Sequence, residues 1–140
     1  VQKFTKSDVA ILSAAVADYA PVEIATSKIK REKQDIPVIH LKKNPDIAAS
    51  LGQTKSKGQL LVGFALETDN EIQNAIDKIK RKNLDFIVLN SLADKNAGFG
   101  VDTNKVTIID RDNSLSNYEL KTKKEVAKDI VNYLVAKLQK

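Results

Sequence analysis

Residues 60–90, LLVGFALETDNEIQNAIDKIKRKNLDFIVLN, show a strand–helix–strand pattern. The apolar segments 60–65 and 84–89 are short and hydrophobic on both faces, which is typical of buried parallel strands. Between them, apolar residues recur at the spacing of a single helix face: Ile72, Ala75, Ile76 and Ile79. This unit predicts an α/β protein in which parallel strands are separated by helices.

Three helix starts are marked by capping signals. Thr68 with Glu71, and Thr122 with Glu125, match the capping box T-x-x-E. Residues 44–46, Asn-Pro-Asp, place an N-cap residue, a first-turn proline and an acidic side chain in succession. The first helix then turns Ile47, Ala48 and Leu51 inward. The closing helix presents Val126, Ile130, Tyr133, Leu134 and Leu138 on one face.

The remaining strands are predicted outward from this unit. The apolar run 9–17 reads as a first buried strand, and residues 38–41 as a short strand for which 28–31 is a candidate hairpin partner. Residues 105–110 and 118–120 predict a late hairpin around a polar turn. The order of strands, hairpins and helices along the chain predicts a single domain over residues 1–140. Its predicted fold is a Rossmann-like three-layer α/β fold with a mostly parallel sheet and peripheral β-hairpins.

Composition narrows the function classes. The 140 residues contain no Cys and one His, which excludes a disulfide scaffold, thiolate catalysis and Cys- or His-cluster metal sites. No apolar run approaches the roughly 20 residues of a membrane helix, and no leader opens the chain, so we expect neither a membrane-spanning nor a secreted protein. Met is absent even at position 1, and we therefore expect a piece of a longer protein.

The net charge of +5 suits anionic partners such as phosphates. It is weak evidence for nucleic acid, because Trp is absent, aromatic residues are few and no Arg-rich stripe is present. Ligands of parallel α/β sheets bind beyond the carboxyl ends of the strands. Residues 14–18, 64–68 and 90–94 lie at those ends in the predicted fold, so their polar side chains are the first site candidates.

Each candidate admits a functional and a structural interpretation. The small residues before Asp18 let a ligand approach the backbone, and Asp18 is suited to accept a hydrogen bond or hold a metal ion; equally, the alanines pack under a helix and Asp18 caps a turn. Residues 28–31, Lys-Ile-Lys-Arg, suit a polyphosphate or form a solvated basic loop. Residues 44–47 attract an anion or simply cap a helix. Phe64 stacks on a base or fills the core.

Lys78 and Lys82 are neighbours on one helix face. The end of a crossover helix normally lies at the opposite edge from the strand carboxyl ends, so the residues alone predict a solvated helix end here. His40 has no partner by spacing and is interpreted as structural. Neither G-x-G-x-x-G nor a phosphate-binding P-loop is present. The residues alone indicate an α/β domain suited to a nucleotide or phosphate ligand.

Six ordered motifs resemble phosphopantothenoylcysteine synthetase, the C-terminal activity of the bacterial bifunctional coenzyme A enzyme. They are SAAVADY at 13–19, KIKR at 28–31, KNPDI at 43–47, VGFALET at 62–68, KIKRKNLD at 78–85 and GFGVDTNKV at 98–106. The resemblance implies a ligase that joins 4′-phosphopantothenate to L-cysteine with CTP and Mg²⁺ through an acyl-cytidylate. It further implies a homodimer in the cytoplasm that uses no membrane or nucleic acid.

The resemblance also assigns residues. Ala14, Ala15 and Asp18 would lie at the nucleotide, and Lys28 would be the catalytic lysine of a loop that closes over the activated intermediate. Pro45, Asp46, Ile47 and Ala48 would contact the nucleotide, and Phe64 would border its base. Lys78 and Lys82 would contact the nucleotide as well, against the solvated helix end predicted from spacing; no metal ligand is assigned.

The family's N-terminal half is not represented in these residues, which carry neither its Gly-rich first turn nor its Ser-Ser-Gly segment with an essential Asn. We therefore expect the chain to bind nucleotide and to be inactive alone. Two alternatives stay open: a non-catalytic nucleotide-binding regulatory module, and a basic α/β domain that binds RNA.

Overall fold

The computed structural model describes residues 3–28, 38–91 and 100–139. They divide into two compact units, one within Val1–Ser13 and Ile47–Lys140 and the other within Ala14–Asp46. After a short 3-10 turn at Phe4–Lys6, the elements are β1 (Val9–Leu12), β2 (Tyr19–Pro21), β3 (Leu41–Lys43), α1 (Ile47–Thr54), β4 (Leu60–Glu67), α2 (Glu71–Lys82), β5 (Phe86–Ser91), β6 (Thr103–Asn104), β7 (Val106–Asp110), β8 (Leu115–Asn117), β9 (Lys121–Thr122) and α3 (Lys123–Leu138).

The larger unit is built on a five-stranded sheet in the order β1-β4-β5-β7-β8. β1, β4 and β5 are parallel, with Val9 opposite Leu60 and Val62 opposite Phe86. β7 and β8 extend the sheet in antiparallel fashion, and Phe86 lies opposite Asp110. The parallel strands and the peripheral hairpin confirm the predicted α/β fold.

The two faces of the sheet bury two separate apolar clusters. Because side chains alternate along a strand, Leu61 and Ile87 face α1 and α2, while Val62 and Val88 face α3. Full burial of side chains of this size contributes roughly 1.5–3 kcal/mol each. The unit therefore has three layers, with α1 and α2 on one side of the sheet and α3 on the other.

Helix packing matches most of the predicted inward residues. Ala75 and Ile79 of α2 are buried, and so are Val126, Ile130 and Leu134 of α3. Three predicted inward residues are instead about half exposed, namely Ile47, Ile72 and Leu138. Each lies in the first or last turn of its helix.

A close approach of two helices depends on Gly52. A Cβ atom at this position would lie 1.9 Å from the carbonyl oxygen of Lys82. The Asn83 amide, just after α2, donates to the Gly52 carbonyl over 2.7 Å. Glycine at position 52 therefore lets α1 pack against the end of α2.

Buried polar groups lie where β5 begins and where β7 ends. Asp85 accepts from the Lys55 ammonium at 2.8 Å and from the Leu61 N–H at 2.6 Å, and both charged side chains are nearly buried. Asp110 accepts from the Tyr133 hydroxyl at 2.8 Å and pairs with Lys137 at 2.7 Å. These bonds satisfy the two carboxylates, whose burial would otherwise be costly.

Several predicted boundaries are wrong. The first strand ends at Leu12 rather than at residue 17, and the segment 19–21 pairs in antiparallel fashion with 41–43. The strand predicted at 38–41 instead begins three residues later, at Leu41, and ends at Lys43, and His40 lies just before it. The second strand of the late hairpin is 115–117, not 118–120. The candidate hairpin partner at 28–31 lies outside the described residues, apart from Lys28.

The two capping boxes have different outcomes. Thr122 accepts from the Glu125 N–H and Glu125 accepts from the Thr122 N–H, as predicted. The box at Thr68 is wrong, because the N-cap of α2 is Asn70, in the left-handed region and without a side-chain cap. α1 begins at Ile47, so Asn44 is not its N-cap. Across the described ranges, no helix is long and apolar enough to cross a membrane.

Candidate functional site

The sequence candidates fall in both compact units. Six of them belong to the smaller unit: Ala14, Ala15, Asp18, Lys28, Pro45 and Asp46. All six are exposed. The interpretation in which the alanines pack under a helix therefore does not hold.

Within the smaller unit, Asn44 joins the candidate segment that ends at Asp18 to the segment that begins with Asn44 itself. Its backbone N–H donates to the Asp18 carbonyl at 2.8 Å, and its side-chain amide donates to the Ala17 carbonyl at 2.8 Å. The β2–β3 pairing continues this contact, with Tyr19 opposite Lys43. The structure thus brings the Asp18 segment next to Asn44 and Pro45. Sequence reasoning assigned Asn44 to helix capping and missed this role.

Lys28 is the last described residue before the gap at 29–37, and its side chain is exposed. The rest of the basic cluster, Ile29 to Arg31, lies outside the described residues. The structure therefore shows an accessible ammonium at position 28.

In the larger unit, Ile47 and Ala48 open α1, and Ala48 is half-buried. Phe64 lies within β4 and packs against the cluster on the α3 face, with part of its side chain accessible. Phe64 therefore belongs to the apolar core, as one of the two interpretations expected, and it also leaves part of its side chain accessible.

Lys78 contacts the carboxyl end of β4. Its ammonium donates to the Glu67 Oε1 atom, and Glu67 is the last residue of that strand. The Glu67 contact contradicts the expectation that Lys78 lies away from the strand carboxyl ends. α2 begins seven residues earlier, and its axis has risen about 10 Å by Lys78. Helical side chains lean toward the helix N-terminus, so this long side chain reaches back to the strand end.

The Glu67 carboxylate is also held by a second side chain. The Asn74 amide donates to Glu67 Oε2 at 3.2 Å and to the Asp69 carbonyl at 2.9 Å. The side chains of Lys78 and Glu67 are 30% and 16% exposed, so solvent still reaches the ammonium. Lys82, one turn further along α2, is half-buried. Glu67 lies in the candidate segment 64–68, but sequence reasoning gave it no partner and missed Asn74; the seven-residue spacing of the two polar side chains across a turn was the available signal.

A further polar contact lies at the carboxyl end of β5. The Asn104 amide donates to the Asn90 Oδ1 atom at 2.8 Å and so joins the strand end to β6. Of the candidate segment 90–94, residues 92–94 lie outside the described ranges. Among the residues that are described, no group of three or more His, Asp or Glu side chains is placed to hold a metal ion.

The sequence matches the family of the DNA/pantothenate metabolism flavoprotein C-terminal domain over residues 1–138. It is 43% identical to the coenzyme A biosynthesis bifunctional protein CoaBC of Borreliella burgdorferi, over 94% of this chain and 33% of that protein. It is 57% identical to a cysteine/cysteine sulfinic acid decarboxylase of an unknown prokaryotic organism, over 96% of this chain and 37% of that protein. The chain thus spans about a third of the length of these curated relatives.

The fold is also similar to solved structures. The crystal structure of the C-terminal domain of CoaBC superposes with a TM-score of 0.77 at 36% identity, over 99% of this chain and 58% of that one. A DNA/pantothenate metabolism flavoprotein from Streptococcus pneumoniae shares the fold with a TM-score of 0.74 at 21% identity. These matches agree with the motifs found in the sequence, and the chain belongs to the family of DNA/pantothenate metabolism flavoprotein C-terminal domains.

Proposed function

We propose that this chain is the nucleotide-binding portion of a phosphopantothenate–cysteine ligase of coenzyme A biosynthesis. The observation that carries the proposal is the similarity to the C-terminal domain of CoaBC, at 36% identity over 99% of the chain. The decarboxylase name of another relative gives no competing proposal, because the match covers 37% of that relative, whereas it covers 58% of the solved C-terminal domain of CoaBC.

The proposed reaction has two steps. A carboxylate oxygen of 4′-phosphopantothenate attacks the α-phosphorus of CTP, and the bond to pyrophosphate breaks. The amine of L-cysteine then attacks the acyl carbon, loses a proton and displaces CMP. Positioning and charge neutralisation supply most of the catalysis in such a nucleotidyl transfer.

The proposed roles use the accessible groups of each unit. In the smaller unit, Lys28 is the catalytic cation that neutralises the charge of the reacting phosphate. The nucleotide contacts of that unit are Ala14, Ala15, Asp18, Pro45 and Asp46. In the larger unit they are Ile47, Ala48, Phe64, Lys78 and Lys82, and Phe64 borders the base with the part of its ring that is accessible.

Mg²⁺ fits the acidic groups that the structure describes. This ion is usually held by one or two carboxylates together with substrate phosphates and water, so a cluster of three acidic side chains is not required. The exposed Asp18 carboxylate is an oxygen ligand of the right kind. When bound, the ion would neutralise phosphate charge.

The proposal extends to the complete protein. Its other substrates are 4′-phosphopantothenate and L-cysteine, its assembly is a homodimer and its compartment is the cytoplasm. Nucleic acid and membranes are not among its partners. The remaining part of the protein supplies much of the phosphopantothenate site, so this chain alone binds nucleotide without turning it over.

The test is pyrophosphate release by the complete protein that contains these residues. With CTP and 4′-phosphopantothenate, release is expected before cysteine is added, and phosphopantothenoylcysteine and CMP appear afterwards. Lys28→Ala should abolish turnover while CTP binding is mostly kept, because the lysine acts on the reacting phosphate. Lys57→Ala, at an exposed lysine outside the site, is the matched control.

Two results would overturn the proposal. CTP binding without pyrophosphate release in the complete protein would indicate a regulatory nucleotide-binding module. Unchanged turnover of Lys28→Ala would remove the assigned catalytic residue.

A further inference from the structure

The Glu67 carboxylate is fixed from two sides at the end of β4. Lys78 donates to one of its oxygens and Asn74 to the other. Asn74 is itself held by the Asp69 carbonyl, at 2.9 Å. The three side chains therefore form a chain of contacts from the β4–α2 turn to the Lys78 ammonium.

This pair differs from the carboxylate–lysine pair of Asp85 and Lys55 in the same unit. The Asp85 carboxylate also accepts a backbone N–H from Leu61, and the Lys55 ammonium also donates to the Asn83 carbonyl, so that pair holds elements of the fold together. The Lys55 side chain is 8% exposed, whereas that of Lys78 is 30% exposed. An ammonium carries three donors, and Glu67 takes one, so Lys78 retains donors for an incoming acceptor.

We infer that Glu67, braced by Asn74, is a positioning residue that holds Lys78 ready for the phosphates of the nucleotide. The contact lies at the carboxyl end of a parallel strand, where ligands of such sheets bind. Ordering a free lysine on binding costs affinity, and the carboxylate meets that cost before the nucleotide arrives. This inference rests on the proposed function.

The direction in which one substitution changes nucleotide affinity shows whether Glu67 positions Lys78 or merely balances its charge. A carboxylate beside a polyphosphate repels it, so removing a mere counterion would tighten nucleotide binding. Loss of a positioning group frees the lysine and weakens binding instead. Glu67→Gln keeps the size of the side chain and removes its charge, and it therefore distinguishes the two roles by direction.

The experiment uses the complete protein with Mg²⁺ and CTP. Calorimetry gives the Kd for CTP, and pyrophosphate release gives kcat and KM. Glu67→Gln should raise Kd and KM for CTP about two- to tenfold, the cost of ordering one long side chain, with kcat unchanged. Asn74→Ala should act in the same direction, and it retains a good helix former in α2.

A double-mutant cycle separates positioning from a structural role. Lys78→Met should weaken CTP binding, and adding Glu67→Gln to it should cause no further loss, because the group that Glu67 positions is gone and the charge that is removed can only repel the phosphates. A structural role would give additive losses. Asp77→Asn is the matched control: it makes the same chemical change on the same helix, at an exposed carboxylate that accepts from Gln73, and should leave Kd unchanged.

The inference is overturned if Glu67→Gln tightens CTP binding, leaves it unchanged, or still weakens it in the Lys78→Met protein. If Glu67→Gln does not fold, Asn74→Ala and its cycle with Lys78→Met decide in the same way. Failure of the proposed function looks different, because the unaltered protein would then release no pyrophosphate from CTP, whether or not it binds the nucleotide.

Discussion

At the scale of single residues, the buried carboxylate of Asp110 shows how a long-range contact is satisfied. It is 6% exposed and accepts from the Tyr133 hydroxyl, the Arg111 N–H and the Lys137 ammonium. Burial, and then the bond to Asp110, raise the pKa of Tyr133 above its ordinary value. The sequence predicted Tyr133 as a member of an apolar helix face, and its partner 23 positions earlier left no local signal.

Tyr133→Phe should destabilise the protein by about 1.5–3 kcal/mol at pH 8, the cost of losing a hydrogen bond to a charged group. The ring itself stays packed edge-on against Phe86. Because the pKa is raised in the folded state, the hydroxyl contributes fully below the unfolded pKa near 10 and loses its contribution as pH rises above it.

The measurement is urea unfolding of both proteins at pH 8 and at pH 10.5 and above, with the exposed Tyr19→Phe as control. The gap in unfolding free energy between the unaltered protein and Tyr133→Phe should narrow with rising pH. A gap that widens would contradict the assigned pKa shift.

At the scale of elements, two identical capping signals have different outcomes. Thr122 and Glu125 form a complete box at the start of α3, while Thr68 donates to the neighbouring Asp69 and α2 begins after Asn70. The competing interactions around α2 are tertiary, since Asn74 and Lys78 both contact Glu67. The pattern T-x-x-E therefore correctly predicts the presence of both helices, but it correctly predicts the N-cap residue of α3 only.

Thr122→Ala should lower the free energy of unfolding by about 1 kcal/mol, the usual cost of losing an N-cap side chain. The same hydroxyl and the Thr122 N–H lower the pKa of Glu125, so the separate contribution of the Glu125 carboxylate is lost as pH falls through its folded pKa. Thr122→Ser keeps the cap and should stay within a few tenths of a kcal/mol of the unaltered protein in denaturant unfolding. Equal losses for both variants would contradict the role of the cap.

Packing of α1 on α2 gives a second prediction at this scale. Gly52→Ala should cost about 3 kcal/mol or more, because overpacking against backbone cannot be relieved by a side-chain movement. Gly63→Ala is the comparison, since its Cβ would meet the end of the Leu84 side chain at 2.7 Å, which can shift. Chemical denaturation of the two variants should show the larger loss for Gly52→Ala; the reverse order would indicate that α1 moves away freely.

At the scale of the whole molecule, periodicity predicted the α/β fold and the layers around β4, α2 and β5. It did not predict where β1 ends, because residues 13–17 continue the run of small and apolar side chains, while pairing with β4 stops at Leu12 opposite Gly63. The antiparallel pairing of Tyr19 with Lys43 was not predicted either, because neither segment carries a clear strand pattern. The site residues came from resemblance to a family, and the contacts of Asn44 and Glu67 required the three-dimensional structure.

CTP binding by these residues should stabilise the chain against heat. A ligand at a hundred times its Kd adds about 2.7 kcal/mol, which raises the Tm of a domain of this size by several degrees. CTP with Mg²⁺ should produce this rise, and inorganic triphosphate should not reproduce it. RNA that raises the Tm in low salt only, with no effect of CTP, would instead favour a basic RNA-binding domain.

The number of residues between paired strands also predicts the order in which the strands pair during folding. Val9 pairs with Leu60, while Phe86 pairs with Asp110 at about half that separation, and each doubling of a loop raises its closure cost by about 0.6 kcal/mol. During refolding, β5, β7 and β8 should therefore come together first, and β1 should join as the last strand. Pulsed hydrogen exchange would then find the amides of β1 protected later than those of β7.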